Sequence, residues 1–120
     1  MILGVGIDLC EVGRMEKLVE DGRFMKRYFT EAENEYVLGR GRKAAETMAG
    51  IFAAKEAFAK AMGTGITFEL KEAEVVHDER GCPGYRLSGR AAEMAAGSRL
   101  WLSISHDGGV AGAVCIREEA

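Results

Sequence analysis

The stretch AAKEAFAKAMGTGI, residues 53–66, closes the longest periodic segment of the chain and sets its fold. Over residues 43–62, alanines are frequent and apolar residues recur at helical spacing, which predicts one long helix with a broad apolar surface. Glu56 and Lys60 are four residues apart on this helix, so they lie on the same face, one turn from each other. The two glycines of the stretch then end the helix. We expect the other elements to pack around it.

The segments on either side of this helix predict strands and shorter helices. Residues 2–9 form a run rich in β-branched residues that is typical of a buried strand, and Asp8 lies at its end. A helix is predicted from about Val12 to Glu20, and the capping box of Thr30 and Glu33 predicts another. Further expected elements are strands at 73–77 and 84–88, a short helix opened by Ser88, and a final hairpin of residues 100–106 and 110–116. This order predicts an α+β fold in which an antiparallel sheet packs against the long central helix.

Length and composition limit the class of protein. The chain has 120 residues, of which 48% are hydrophobic, enough for one core and too few for two ordinary domains. We therefore expect a single domain over residues 1–120. The formal net charge of -3 argues against a general affinity for nucleic acid, which requires a basic face.

Cysteine usage and the start of the chain indicate the compartment. Cys10, Cys82 and Cys115 are odd in number and form no CxxC pair, which disfavours a disulfide framework and a zinc knuckle. The first residues lack the basic start of a signal peptide, and Asp8 soon interrupts their apolar run. No stretch reaches the roughly 18 apolar residues of a membrane span. The sequence therefore predicts a soluble, cytoplasmic protein with reduced thiols.

Three polar side chains are candidates for chemistry. Glu56 and Lys60 have an ordinary explanation as a surface pair worth about 0.3 kcal/mol, and Asp8 has one as the cap of the next helix. Alternatively, Asp8 binds a cation, because two carboxylates from different elements suit Mg²⁺ when substrate phosphates complete its coordination. A neighbouring lysine would contact those phosphates. Phosphate chemistry therefore requires that Asp8 and Glu56 meet in space.

Three motifs, in this order, resemble one known family. GVGIDLCEVGRM (4–15), FAAKEAFAKAMGTGI (52–66) and LSISHDGGVAGAVCI (102–116) are similar to the motifs of the holo-[acyl carrier protein] synthases, the small 4'-phosphopantetheinyl transferases of bacterial fatty acid synthesis. The resemblance covers essentially the whole chain and implies the 4'-phosphopantetheinyl transferase fold. It also implies an enzyme that uses Mg²⁺ and transfers the 4'-phosphopantetheine arm of coenzyme A to a serine of apo acyl carrier protein, releasing adenosine 3',5'-bisphosphate.

The resemblance assigns the chemical residues one by one. Asp8 and Glu56 match the metal ligands of the family, and Lys60 matches the second lysine of its KEA motif. Metal and lysine would neutralise the phosphate oxygens during transfer. Gly63 and Gly65 would let coenzyme A lie against the end of the helix, although helix capping explains them equally well. The acceptor of the serine proton is either Glu56 or a metal-bound water.

Other matches concern the binding of coenzyme A. His106 matches a histidine near the bound coenzyme A, although a lone histidine at a strand end is more often a satisfied polar residue. Arg42 and Lys43 match basic residues that approach the 3'-phosphate of the nucleotide. Their ordinary explanation is a solvated helix start, where cations are disfavoured unless an anion joins them. His77 has no such match and is predicted to be a surface residue.

A basic group on and after the first helix suggests where a protein partner docks. Acyl carrier proteins are acidic around the modified serine, so the resemblance makes Arg14, Lys17 and Arg23 the docking residues. Arg14 is the first choice because it belongs to the first motif. Interspersed acidic residues leave the alternative of an ordinary mixed surface open.

Two positions depart from the family pattern. Ile51 stands where many members have an arginine that helps hold the nucleotide, and Cys82 stands where a basic residue is common. Both differences remove positive charge. They put the affinity for coenzyme A in question rather than the type of reaction.

The resemblance further implies a homotrimer with active sites between neighbouring subunits, which suits a chain too small to bury much of its own surface. Two other functions stay open. A non-catalytic module would hold a nucleotide or an acidic protein through the same basic residues without needing Mg²⁺. A transferase acting on the carrier domains of polyketide or peptide synthases is the second, although its larger relatives usually carry an internal duplication that is absent here.

Overall fold

The chain folds around one long helix. In the computed structural model, which describes residues 1–120, the elements are β1 (Ile2–Glu11), α1 (Val12–Asp21), α2 (Arg23–Tyr28), α3 (Glu31–Leu38), α4 (Ala44–Met62), β2 (Ala73–His77), β3 (Pro83–Leu87), α5 (Gly89–Met94), β4 (Ser98–Asp107) and β5 (Val110–Glu119). Short 3-10 turns at Gly41–Lys43 and Leu70–Glu72 precede α4 and β2. The expected long helix is α4, which has 19 residues.

The strands form two antiparallel sheets. β1, β5 and β4 lie in that order in a three-stranded sheet, and β2 pairs with β3 in a separate two-stranded sheet. The predicted final hairpin is the β4–β5 pair, in which Asp107 lies opposite Val110. The α+β class is confirmed, whereas the strands divide into two sheets instead of one.

Most of α4 is buried because other elements cover it on several sides. Its alanines favour the helix and leave room for close neighbours, and its larger side chains, Met48, Ile51 and Phe58, belong to the hydrophobic core. β1 and β5 pack along it on one side, and α1, α3 and β2 pack against it elsewhere. None of the helices combines the length and the apolar character that crossing a membrane requires.

The contact between β1 and α4 depends on two glycines. Gly4 and Gly6 face the helix, and a Cβ atom on either would overlap the carbonyl oxygen of Ala61 or Ala57. The alternation of the strand therefore points its large apolar side chains away from α4. These side chains, which include Val5 at 60% and Leu9 at 68% exposure, are open in the single chain. The prediction of a buried strand is wrong for this face, because only the glycine side is covered.

A buried ion pair links α4 to its neighbours. Lys55 Nζ lies 2.9 Å from Glu33 Oε1, and both side chains have 0% exposure. Lys55 also donates to the carbonyl oxygens of Leu70 and Ala73, at 2.8 and 3.0 Å, and Glu33 accepts the N–H of Val75 at 2.8 Å. Burial lowers the pKa of Lys55, and Glu33 opposes that shift. The pair thus holds α3, α4 and β2 together, and the sequence analysis did not predict it.

Asp8 lies inside β1 rather than at the end of the strand. β1 continues to Glu11, which directly precedes α1, and no side chain caps the start of that helix. Capping of α1 by Asp8, one of the open alternatives, is therefore wrong. Its carboxylate instead lies on the side of the strand that faces α4, where Lys60 contacts it.

Three short helices follow their predictions to different degrees. The capping box of Thr30 and Glu33 is confirmed at the start of α3. Helix α2 was not predicted, and only Gly22, with a φ of 80°, separates it from α1. Ser88 precedes α5 as expected, but its side chain makes no capping hydrogen bond. Glu72 takes over this role, because it accepts the N–H of Ala91 at 3.4 Å.

Candidate active site

Asp8, Glu56 and Lys60 converge where β1 lies against α4. Lys60 Nζ is 3.3 Å from Asp8 Oδ1 and donates to the carbonyl oxygen of Ile7 at 2.9 Å. Glu56 lies one turn before Lys60 on the same helix face, close enough to Asp8 and Lys60 for both charges to shift its pKa. Asp8 and Glu56 therefore lie close enough for their charges to interact, as phosphate chemistry at this place would require.

The environment of Glu56 disfavours its negative charge. Partial burial is the main cause that raises the pKa of the Glu56 carboxyl, the charge of Asp8 raises it further, and Lys60 opposes both. A divalent cation between the two carboxylates would compensate for the burial and the repulsion together. The donor set of Asp8 and Glu56 therefore fits a hard cation such as Mg²⁺.

The protein offers few ligands at this place. No group of three or more His, Cys, Asp or Glu side chains in the structure could hold a metal ion. A cation at Asp8 and Glu56 would take its other ligands from water and substrate, which is how Mg²⁺ usually binds beside phosphates.

An apolar cavity opens beside Glu56. Its volume is about 340 Å³, and Glu56 forms part of its wall together with the aromatic rings of Phe24, Tyr28, Phe52 and Phe68. α2 and the segment after α4 supply much of this wall. Glu56 therefore lies at the boundary between a charged cluster and a largely apolar surface.

A second pocket lies near the beginning of α4. Its volume is about 190 Å³, and its polar wall residues include Tyr36, Arg40, Lys43, Glu46, His77 and His106. His106 Nε2 is 3.3 Å from Glu46 Oε1. Lys43 and His106, two of the residues predicted to approach coenzyme A, thus lie at the same pocket.

His77 is half-buried and forms part of the wall of this second pocket, a position that the sequence analysis did not predict. Its ring stacks on that of Tyr36, with centroids 4.0 Å apart and planes 6° from parallel. Burial lowers the pKa of His77, the charge of Arg40 lowers it further, and Asp78 opposes both. No local signal in the sequence pairs the end of β2 with α3, because this contact depends on the tertiary fold.

Arg42 lies outside the second pocket. It borders a separate depression together with Glu16 and Glu20 of α1. Arg40, two residues earlier, occupies the pocket wall instead. Lys43 borders both the depression and the second pocket, so only one of the two adjacent basic residues of the prediction reaches the second pocket.

The residues predicted to bind coenzyme A lie at opposite ends of α4. Lys43 precedes the helix, whereas Gly63 and Gly65 follow it with φ values of 78° and 70°. A helix of 19 residues spans about 28 Å. Gly63 also caps α4, because its N–H bonds to the carbonyl oxygen of Ala59 at 3.1 Å. Within one chain, the second pocket and the glycine turn are thus separate surfaces, and Glu56 lies between them.

The predicted docking residues occupy the first two helices. Arg14 and Lys17 lie one turn apart on α1, are exposed, and form no salt bridge. Arg23 begins α2 and is already paired with Asp21, at 2.7 and 2.9 Å. Of these three predicted residues, the two without an ion pair therefore lie on α1.

Comparison with known proteins connects this geometry to a family. Residues 4–115 match the family described as the 4'-phosphopantetheinyl transferase superfamily. A holo-[acyl-carrier-protein] synthase of Treponema denticola is 44% identical over 122 residues, a span that covers 98% of this chain and 99% of the relative. The chain belongs to the 4'-phosphopantetheinyl transferase superfamily.

Solved structures of the superfamily share this fold. A holo-(acyl-carrier-protein) synthase from Bacillus anthracis, in complex with CoA (3',5'-ADP), superposes with a TM-score of 0.84 at 39% identity, covering 100% of this chain and 99% of that chain. A holo-[acyl-carrier-protein] synthase from Neisseria meningitidis gives a TM-score of 0.85 at 34% identity, covering 99% and 100%. The resemblance inferred from the three motifs is confirmed, and the chain is an enzyme, a phosphopantetheinyl transferase.

Two positions of this phosphopantetheinyl transferase contribute no charge to the second pocket. Ile51 is 1% exposed, belongs to the hydrophobic core and forms part of the pocket wall. Cys82 is exposed in the β2–β3 turn, where its N–H donates to Asp78 Oδ1 at 2.9 Å. The positive charge of the pocket comes from Arg40 and Lys43 instead.

Proposed function

We propose that this protein is a Mg²⁺-dependent holo-[acyl carrier protein] synthase of fatty acid biosynthesis. It would transfer 4'-phosphopantetheine from coenzyme A to a serine of apo acyl carrier protein and release adenosine 3',5'-bisphosphate. The observation that carries this proposal is the convergence of Asp8, Glu56 and Lys60, because it joins two metal-type carboxylates and a phosphate-type cation at one point. The holo-[acyl-carrier-protein] synthase relatives support the same reaction.

The reaction is a phosphoryl transfer in which positioning and charge supply most of the catalysis. The serine oxygen attacks the β-phosphorus of coenzyme A, and the bond from that phosphorus to the bridging oxygen breaks, so that adenosine 3',5'-bisphosphate leaves. Asp8 and Glu56 would hold Mg²⁺, which neutralises charge on the phosphate oxygens when bound. Lys60 would add a second positive charge on the same oxygens.

The serine proton needs an acceptor near the attacked phosphorus. Glu56 suits this role because its ionised carboxylate lies at the site and can accept a proton. A water molecule at the site is the alternative, and it would pass the proton to solvent. Glu56 must be ionised in both routes, as the base in the first and as a ligand of the proposed metal in the second.

The distribution of the binding residues along α4 supports an assembly. Lys43 and His106 lie at one end of the helix and Gly63 at the other, which fits a site made from the surfaces of two neighbouring chains. The open apolar side of β1, with Val5 and Leu9, provides a face that association would bury. We therefore infer a homotrimer whose active sites lie between subunits.

Arg14 and Lys17 supply the surface for the carrier protein. Both are exposed and unpaired on α1, and opposite charge on a partner accelerates and orients its approach. α1 directly follows β1, the strand that bears Asp8, so a carrier bound on α1 would lie next to that strand.

The first test is intact-protein mass spectrometry of an apo acyl carrier protein incubated with this enzyme, coenzyme A and Mg²⁺. We expect a mass gain of one phosphopantetheine, and none in a matched sample with EDTA. A gain that persists with EDTA would contradict the role of the metal. Binding of coenzyme A without transfer to any carrier would favour the docking module, and transfer only to polyketide or peptide synthase carriers would favour the second alternative.

A further inference from the structure

Near the active site, β1 meets α4 through two glycines and not through large side chains. Gly4 and Gly6 lie directly against the backbone of the helix at Ala61 and Ala57. Such a contact lets the two elements approach closely, but it provides no ridge of side chains that would resist rotation of the helix about its axis. The glycines therefore fix the distance between β1 and α4 more firmly than the direction in which Glu56 points.

The direction of Glu56 matters because a divalent cation tolerates little displacement of its ligands. Mg²⁺ requires nearly octahedral geometry, with oxygen ligands at about 2.0–2.1 Å. A carboxylate on a helix lies about 5–6 Å from the helix axis, so that a rotation of about 20° would move it by about 2 Å. Such a rotation would separate Glu56 from a cation that it shares with Asp8. An anchor that fixes the rotation of α4 would therefore control the site.

Lys55, which directly precedes Glu56 in the sequence, is such an anchor. Its Nζ lies 2.9 Å from Glu33 Oε1 of α3, and it donates to the carbonyl oxygens of Leu70 and Ala73 at 2.8 and 3.0 Å. The Lys55 and Glu33 side chains are both completely buried. Apolar packing has no preferred direction, whereas hydrogen bonds restrict both distance and angle. Lys55 therefore ties α4 to three points with defined geometry.

These three points lie on the side of α4 away from β1. Ala57, which contacts β1, is about 200° around the helix from Lys55, and Glu56 is about 100° from Lys55. The strand thus limits the approach of the helix from one side, and the ion pair limits its rotation from the other. A buried ion pair often adds no stability over apolar residues of the same volume, and its best-attested role is to fix the register of the elements that it joins.

We propose that Lys55 is a positioning residue for the reaction. Together with Glu33, it fixes the rotation of α4 and so directs the Glu56 carboxylate toward the cation shared with Asp8. This role is separate from the contribution of the pair to stability, and it rests on the proposed function.

The test separates positioning from stability with the double variant Lys55→Met with Glu33→Gln. This variant removes both charges, so that neither is left buried alone, and glutamine can still cap the start of α3. Val37→Ala is the matched control, because Val37 is fully buried on the same helix α3 and its truncation costs core packing while the ion pair stays intact. Circular dichroism verifies that each variant is folded at the temperature of the measurements.

The first readout is the affinity for Mn²⁺, which accepts the same oxygen ligands as Mg²⁺ and whose free form is measured by electron paramagnetic resonance. The titration uses the full-length protein with saturating coenzyme A and no carrier protein, so that no transfer takes place, and a blank with coenzyme A alone is subtracted. The second readout is the rate of phosphopantetheine transfer at saturating substrates.

We expect the double variant to bind Mn²⁺ about 10- to 100-fold more weakly, as happens when a group that orients a metal ligand is lost. The rate of transfer should fall in the same variant. Val37→Ala should stay within about twofold of the wild-type protein in both readouts, although it is also destabilised. Glu33→Gln alone should show a smaller loss in the same direction, and it decides the question if the double variant does not fold.

Unchanged Mn²⁺ affinity in the folded variants would overturn the inference, because the rotation of α4 would then be fixed without the ion pair. Equal losses in the double variant and in Val37→Ala would overturn it as well, since they would reflect stability alone. The proposed function fails separately, when the wild-type protein transfers no phosphopantetheine in the mass-spectrometric test. A wild-type protein that transfers normally, beside a double variant with unchanged Mn²⁺ affinity, refutes only the positioning role of Lys55.

Discussion

Glu56 has two properties that oppose each other. Its carboxylate must be ionised to hold a cation, yet burial and the charge of Asp8 raise its pKa. Lys60 offsets only part of this rise in pKa, because it also bonds to Asp8 and to the carbonyl oxygen of Ile7. The free protein therefore has an unfavourable charge at the site, and a bound cation would remove that cost.

Glu56→Gln is expected to keep the fold and lose the activity. A metal ligand contributes several kcal/mol to the transition state, so phosphopantetheine transfer should fall by roughly 10³-fold. Thermal stability should stay equal or rise slightly at neutral pH, because the neutral amide avoids the repulsion by Asp8. Mass spectrometry of the carrier and thermal denaturation measure the two effects. Near-normal turnover would remove Glu56 from the mechanism.

Arg14→Ala should weaken the binding of the carrier protein and leave the binding of coenzyme A unchanged. An exposed charge pair contributes about 0.2–1 kcal/mol, so we expect KM for the carrier to rise about 1.4- to fivefold at low salt. The difference should shrink as ionic strength increases. Steady-state kinetics with each substrate varied in turn test this. Equal losses for both substrates would instead assign Arg14 to the nucleotide site.

At the level of elements, the glycines of β1 determine how closely the two carboxylates approach. Gly6, two residues before Asp8 on β1, contacts the backbone of α4 at Ala57. Ala57 directly follows Glu56. Any side chain here would push the strand away from the helix. The absence of a side chain at Gly6 therefore determines how closely Asp8 approaches Glu56.

Gly6→Ala should destabilise the protein and weaken the proposed metal site. Overpacking costs about 1–3 kcal/mol, and the displaced strand would carry Asp8 away from Glu56. Gly13→Ala is the matched control, because Gly13 is helical in α1 with open space around it, so this change should stabilise the protein by about 0.5–1 kcal/mol. Urea denaturation compares the two. Equal stability changes in both variants would contradict the close contact between β1 and α4.

Lys55→Met should be strongly destabilising although its volume is similar. It leaves Glu33 buried without its partner, and breaking a buried pair costs about 3–5 kcal/mol. Glu33→Gln should destabilise as well, and the double variant should lose less than the sum of the two, because neither charge then remains alone. Denaturation of all three variants gives the coupling free energy. Strictly additive losses would show that Lys55 and Glu33 do not act as a pair.

Local patterns predicted α4, α3 and the final hairpin because periodicity, capping and turn residues act within a few residues of each other. Lys55 lies on the same helix stripe as Met48, Ile51 and Phe58, and this apolar spacing was an available sign of its burial. Its partner Glu33 was recognised only as a cap. The stack of Tyr36 on His77 had no such sign, since contacts between distant elements depend on the tertiary fold.

For the whole molecule, the open face of the three-stranded sheet is the dominant surface feature. Val5 and Trp101 both lie opposite Ile116 in the sheet register, so the exposed apolar side chains of β1 continue across β5 to β4. Contiguous apolar surfaces of this kind mark interaction sites. The β-branched residues at the start of the sequence therefore belong to this exposed face and not to the core.

Leu9→Lys should break the proposed homotrimer and lower the activity with it. Leu9 is 68% exposed on this face, and a buried, unpaired lysine there would oppose association. Leu38→Lys is the matched control, because Leu38 is 60% exposed at the end of α3, away from the sheet, where a lysine is favoured by the helix dipole. Light scattering after size exclusion should show a smaller species only for Leu9→Lys. A wild-type protein that elutes as a single chain would contradict the trimer.

The proposed homotrimer, held by the exposed face of β1, would also make the activity depend on the concentration of the enzyme. A site completed by a neighbouring chain disappears when the assembly dissociates, so turnover per molecule falls on dilution instead of staying constant. Serial dilution would then trace the dissociation constant through activity alone. In a cell, the total activity would rise more steeply than the number of enzyme molecules. The first chains to be made would be inactive until they associated with others.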